Sequence, residues 1–374
     1  MKQRAPSGAL YRPRTAFDLL RLPLLGGLLR WRYGRLPLQL FWAVVAALLV
    51  IDGFTGPQIA SRNLATVAPW VHYRGLVILA LLLLGNLFCM GCPFTLPRTL
   101  AKRLSLRGRR FPRALRNKWL AILSLFGLFF LYEWLDLWAS PALTAWVILA
   151  YFVASFVLEA LFTESAFCKY VCPLGTFNFV YSSASPSQIA VKDAQVCAHC
   201  TGKECINGSY SAQPVIRIDQ IPLGNGVQAR QVQRGPQGVL GCGTLLYPPQ
   251  LSSNMDCTLC LDCVRACPHD NIGWFLRTPG RELLHPQAMP ARWDISLLLI
   301  ALAFMGVVNA FGMVPPVYEL LRSLAHGLGV TSDFVPLLIV FGGGSLLLPA
   351  LSALAAGAFS QLLTGTRHVI SLRH

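Results

Sequence analysis

Six long apolar stretches alternate with polar and basic segments along the chain, and this alternation sets the class of protein before any single residue does. They are Leu38–Phe54, Arg74–Thr95, Trp119–Ala139, Ala142–Thr163, Trp293–Val314 and Phe334–Leu363. Crossing the hydrocarbon core takes roughly 20 apolar residues at about 1.5 Å each. The first stretch is short. The last is long and interrupted by Gly342, Gly343, Gly344 and Pro349, where it is expected to tilt, kink or break. The pattern predicts an α-helical integral membrane protein of about six transmembrane helices, with one long polar segment between the fourth and the fifth.

Composition agrees with that pattern. Only 13% of the 374 residues are charged and 54% are hydrophobic, against about 25% charged in a soluble domain. The net charge of +16 raises the question of nucleic acid, but no recognition motif accompanies it and none is expected as a partner. The bases instead lie beside apolar runs. Eight Lys/Arg fall in the first 36 residues, and the loop Leu96–Lys118 holds nine with no acid. Arg367 and Arg373 close the tail. With six spans these three regions share one side, which the positive-inside rule makes cytoplasmic. The opposite loops carry Asp52, Glu133, Asp136 and Asp333. No apolar core ending in a small-residue cleavage site follows the first bases, so no cleavable leader is expected. The expected location is a bacterial cytoplasmic (inner) membrane, with both termini inside. The domains read as a basic cytoplasmic segment (1–37), a four-helix membrane region (38–164), a cytoplasmic Cys-rich segment (165–292) and a two-helix region with a short basic tail (293–374).

Ten of the twelve cysteines lie in that cytoplasmic segment. The strongest motif is Cys257-x2-Cys260-x2-Cys263-x3-Cys267-Pro268, the spacing of the bacterial [4Fe–4S] run. There the fourth thiolate serves a second cluster. Zinc is the rival reading, although zinc sites separate their Cys pairs by longer loops. Cys197-x2-Cys200-x4-Cys205 offers three more sulfurs. Two [4Fe–4S] clusters then close the count, one on Cys197, Cys200, Cys205 and Cys267, the other on Cys242, Cys257, Cys260 and Cys263. The segment is expected to be a small α+β ferredoxin-like unit. The insertion Ile206–Gly241 reads as a tolerated loop or a docking surface. His199 and His269 flank ligands and could tune potential, or be ordinary loop histidines.

Two further motifs, Cys89-x2-Cys92-Pro93 and Cys168-x3-Cys172-Pro173, end apolar stretches at the same face. Residues three or four apart share a helix face, and the proline stops the helix beyond. Three readings stay open: a further metal or Fe–S centre, redox-active thiols, or cysteines packed between helices.

These motifs together resemble the NapH/NosR family of membrane ferredoxin-type proteins, most visibly in Phe167-Cys-Lys-Tyr-Val-Cys-Pro-Leu-Gly175, and are closer to the NapH branch. The resemblance spans roughly Gly75 to Pro268. It departs from the family in the C-x2-C-P spacing at Cys89 and in the long insertion. It implies electron transfer between the quinone/quinol pool and a partner redox protein, whether a reductase, a dehydrogenase or a cytochrome subunit. The chain would then be an electron-transfer subunit of a quinol dehydrogenase-type complex. The related oxidase-assembly ferredoxins keep a second reading open, assembly or metal handling at oxidase or copper sites. A redox-sensing role is the third. His72 and His326, in expected outer loops, and Glu159 and Glu164, near the inner end of the fourth helix, are candidates for handling quinol protons. No pair of histidines lies within the spans for haem, and charges within the spans are too few for a transporter.

Overall fold

The computed structural model describes residues 17–31, 33–97, 109–209, 238–280 and 292–365. Residues 1–16 and 32 of the basic N-terminal segment, 98–108 of the basic loop before Lys118 and 210–237 of the insertion after Cys205 lie outside the described residues, as do Arg367 and Arg373.

The chain is mostly helical. We label α1 Pro23–Arg30, α2 Leu36–Thr55, α3 Leu64–Leu84, α4 Trp119–Trp134, α5 Pro141–Leu161, α6 Pro173–Ser183, α7 Trp293–Gly312, α8 Pro315–Leu328 and α9 Phe334–Thr364. Among the described residues, five helices are long and apolar enough to cross a membrane: α2, α3, α5, α7 and α9. The expected sixth, α4, has 16 residues, about 24 Å of helix, and falls below spanning length. It stops because the chain turns after Trp134, with Asp136 in the left-handed region at φ 46°. The Ser140 hydroxyl then accepts the Leu143 N–H and caps α5.

The second span is displaced from its expected bounds. It begins at Leu64, where Asn63 Oδ1 accepts the Ala65 N–H at 2.9 Å. It passes through a π-helical turn at Val67–Tyr73 and ends at Gly85, whose φ of +83° only glycine adopts easily. Arg74 therefore sits mid-helix rather than at a boundary. The last helix carries its π-helical turn at Gly343–Leu347, within the glycine run. The expected outer loop before Phe334 is instead largely the helix α8. It buries Val317 and Leu321 and leaves most other positions exposed.

In the bundle, α2 packs along α5, α6 wedges between α3 and α4, and α7 lies between α4 and α9. The polar segment is built from short pieces. Strands β1 (Ser187–Val191) and β2 (Ile272–Leu276) pair antiparallel, with Ile189 opposite Trp274. Single helical turns cover Ala194–His199, Glu204–Asn207 and Asp262–Ala266. Residues from the N-terminal side close this core, with Leu20 and Leu29 packing on Ile189, Leu261, Ile272 and Trp274. Asp18 accepts the N–H groups of Leu20 at 3.0 Å and Trp274 at 3.1 Å.

Candidate cofactor sites

The twelve cysteines are all free thiols and gather in three fours. Cys197, Cys200, Cys205 and Cys267 line one cavity in the polar segment. Asn271 donates to the Cys197 sulfur at 3.2 Å. His269 lines the same cavity. His199 is exposed and turns its Nδ1 to the Gln195 carbonyl at 2.8 Å.

The second four surrounds Cys263. Burial pushes its thiol well above the ordinary range, and Cys242, Cys260 and Cys257 push the same way. The Leu246 N–H donates to the Cys242 sulfur at 3.4 Å. The two sets adjoin, since the Cys242 N–H donates to the Cys205 carbonyl at 2.8 Å.

The backbone around both sets is unusual. Among the described residues, seven non-glycine residues have positive φ, and all but Asp136 lie within three positions of a cysteine: Lys203, Leu245, Asp256, Leu259, Leu261 and Asp270. Each costs of order 1–3 kcal/mol and persists only where the surroundings impose it. Such reversals turn successive N–H groups inward, as anion-binding concavities require.

The third four is at the membrane edge. Cys89, Cys92, Cys168 and Cys172 line a cavity with Phe88, Phe94, Phe167 and Phe179. Cys89 sits on a turn at Leu87–Met90 and Cys168 on a π-helical turn at Phe167–Val171. Cys92 and Cys172 precede Pro93 and Pro173, each the first residue of the next helix. Asn178 donates to the Cys89 sulfur at 3.4 Å and the Gly175 N–H to the Cys172 sulfur at 3.1 Å. Asn86 joins this set to the second: its Nδ2 donates to the Cys257 carbonyl at 2.9 Å, and its Oδ1 accepts the Cys89 N–H at 3.4 Å.

Burial raises several of these thiols. It pushes Cys89 up to about 11 and Cys172 up to about 12. It pushes Cys205 to about 12 and Cys260 to about 11. Cys92, Cys168 and Cys257 are raised by the same cause. Any of these groups acting as a ligand must lose its proton to the incoming metal. Among the described residues no three His, Cys, Asp or Glu side chains form a group that could hold a metal ion.

A third cavity, of about 280 Å3, lies inside the bundle and shares Phe94, Leu174 and Asn178 with the membrane-edge site. Its walls are mostly apolar and aromatic, with Arg74, Thr144, Asn309 and several tyrosines among them. Arg74 donates to Asn309 Oδ1 at 2.5 Å and to the Tyr132 hydroxyl at 3.3 Å, and Asn309 donates to Glu133.

The proton-handling candidates resolve differently. His72 falls within α3 and His326 on α8, both exposed and neither lining a cavity described above. Glu164 is a structural anchor: it accepts the Phe111 N–H at 3.0 Å and pairs with Arg116 at 3.5 Å. Glu159 is buried beside Cys168, where its charge opposes a thiolate.

Asn86, Asn178, Asn271, Arg74 and Asn309 were not among the sequence candidates. Their partners are distant in the chain, and no short motif marks them. Lys118 is another. It is buried at 1% exposure, donates from Nζ to the Lys169 carbonyl and to Asp256 beside Cys257, and gives its N–H to Asp294.

No family model, no curated protein and no solved structure matches the chain.

Proposed function

We propose that the protein is a membrane-bound iron–sulfur electron-transfer subunit of the NapH-like kind, working between a quinol pool and a partner oxidoreductase. Cys197, Cys200, Cys205 and Cys267 hold one [4Fe–4S] cluster. Cys242, Cys257, Cys260 and Cys263 hold the other. The observation that carries this reading is the division of these eight cysteines, from three separate places in the sequence, into two fours around which the backbone reverses. A bound [4Fe–4S] cluster supplies one-electron storage without a change of ligands. The chain's own groups position the sulfurs and temper their charge. Asn271 and the Leu246 N–H donate to ligating sulfurs, a recognised lever on cluster potential.

The quinol half of the reading draws on the bundle cavity. Lipophilic ligands favour apolar clefts with a few placed polar groups, and Arg74 and Asn309 supply such a pole. An ionisable residue at membrane depth points to function by default. The polar segment faces the cytoplasm in this reading, with α4 completing the crossing through local bilayer thinning.

Purified anaerobically and returned to lipid, the protein is expected to carry [4Fe–4S] signals by electron paramagnetic resonance that a ubiquinol or menaquinol analogue reduces. Clusters that stay oxidised with every quinol tested would remove the electron-transfer role and leave assembly or metal handling. A preparation without iron or sulfide would remove the cluster reading itself.

A further inference from the structure

We propose that Cys89, Cys92, Cys168 and Cys172 hold a third [4Fe–4S] cluster at the membrane edge, placed between the polar segment and the bundle cavity. The proposal rests on the reading that the other eight cysteines carry clusters, and it extends that reading to a site with no ferredoxin-type spacing.

Convergence comes first. Two motifs some eighty positions apart bring all four sulfurs to line one cavity, as Cys197, Cys200, Cys205 and Cys267 line another. Phe88, Phe94, Phe167 and Phe179 are among its remaining walls and make much of the surroundings apolar.

Backbone shape is an independent sign. Cys92 has φ −60°, ψ 121° and Cys172 has φ −63°, ψ 113°. In the polar segment Cys200 has φ −71°, ψ 112° and Cys267 has φ −74°, ψ 113°. Cys92, Cys172 and Cys267, which close their runs, and Cys200, the middle cysteine of its run, thus share one backbone conformation. Three of these four precede proline, which biases the preceding residue to extended backbone. Cys200 has no proline after it and takes the same shape.

Donors to sulfur repeat as well. The Asn178 amide on Cys89 mirrors the Asn271 amide on Cys197. The Gly175 N–H on Cys172 mirrors the Leu246 N–H on Cys242. Gly175 is needed for that approach, because a Cβ there would stand 3.2 Å from the Cys168 carbonyl oxygen and 3.4 Å from the Cys172 sulfur.

The rival readings fit less well. Reactive thiols are accessible and sit in electropositive surroundings, whereas these sulfurs face a phenylalanine-walled cavity with buried Glu159 beside Cys168. A single zinc ion needs its ligands gathered more closely than any group among the described residues. Cysteines that merely pack between helices would fill space rather than line it.

Position then gives the site a role. Asn86 bonds to both Cys257 and Cys89, and Phe94, Leu174 and Asn178 wall both this site and the bundle cavity. A cluster here connects the lipid-side cavity to the polar segment.

The test counts iron, zinc and acid-labile sulfide in the full chain purified anaerobically, beside the double variant Cys92→Ser/Cys172→Ser. The expected wild-type content is about twelve iron and twelve sulfide per chain, four of each per cluster. The variant should keep about eight, with the other two resonance signals unchanged. Those two retained signals show that the first variant is folded, and a second variant, Cys257→Ser/Cys263→Ser, separates the sites: it should lose signal from the polar segment and keep the membrane-edge one. Eight iron in both wild type and the first variant overturns the third cluster and leaves the two-cluster reading standing. Zinc at this site, or a loss of only about two iron, overturns its assignment as [4Fe–4S]. A wild type without iron or sulfide overturns both readings.

Discussion

The polar segment and the helical bundle hold together by different means. The segment has strands of five residues and helical turns of four to six, too short to be stable alone. Buried polar side chains cross-link it. Arg277 donates to the carbonyls of Ser185 and Ser183 and to Gln188. Asn254 Nδ2 reaches the carbonyls of Ser182 and Ser187. In the bundle the helices are long, and the cores are apolar and aromatic, as around Phe130, Leu337 and Phe341. Lipid tails offer no hydrophobic drive between such helices, so shape and a few polar contacts decide their packing. The segment should therefore depend on any ligands its cysteines hold and on its hydrogen bonds, and the bundle chiefly on the fit between its helices.

The sharpest break in that contrast is removal of a cluster ligand. Cys263→Ser should abolish hydrogen-exchange protection across β1 and β2 while α5 and α7 stay protected, because metal binding and folding are one equilibrium in small metal-held units. Protection retained in both strands would show that the apolar core alone suffices. Next is the junction residue. Lys118→Met leaves Asp256 buried without its cation, and should cost about 3–5 kcal/mol in thermal or denaturant unfolding in detergent. The double variant Lys118→Met/Asp256→Leu should recover most of it. Within the segment, Arg277→Ala should cost about 2–3 kcal/mol by loss of its bonds to Ser183, Ser185 and Gln188. In the bundle, Arg74→Gln should leave iron content and folding intact and weaken a quinol analogue by about tenfold, or about 1.4 kcal/mol. Unchanged affinity would place the carrier elsewhere.

The smallest effect is at the surface. Burial alone would raise Asp270, but hydrogen bonds from Lys192 and Arg30 outweigh it and hold the carboxyl below the usual carboxylate range. A depressed carboxylate contributes stability above its unfolded value of about 3.9, and that stability fades as pH falls through the lower folded value. Asp270 is 59% exposed, so the Arg30→Ala change should cost under about 1 kcal/mol and soften only the acid limb below about pH 4.

Much of this architecture is legible in the sequence, and the exceptions share a cause. α5 and α7 begin and end close to their expected bounds, and the glycine run in α9 marks its π-helical turn. These features depend on local apolar runs and backbone freedom. The start of α3 was missed because Pro69, Trp70, His72 and Tyr73 read as a polar loop, yet Asn63 and Gly85 set the helix ends. α8 was missed because only one side of it is apolar, at Val317 and Leu321. The sequence motifs also place Cys89, Cys92, Cys168 and Cys172 at one face, where the structure has them line one cavity, but nothing in them announces Asn178 as the donor to Cys89. Nor do they announce Asn86, Lys118 or the Arg74–Asn309 pair, whose partners lie far away in the chain. Pairing over such distances is a property of the folded chain and leaves no periodic trace.

Asn86 has a mechanical consequence. With one end of its amide on Cys257 and the other on Cys89, the polar segment cannot swing away from the membrane edge without breaking the Asn86–Cys257 bond. If the proposed clusters carry electrons, those electrons would cross gaps of constant width, along a fixed wire and not a ferry, and the transfer should be indifferent to solvent viscosity.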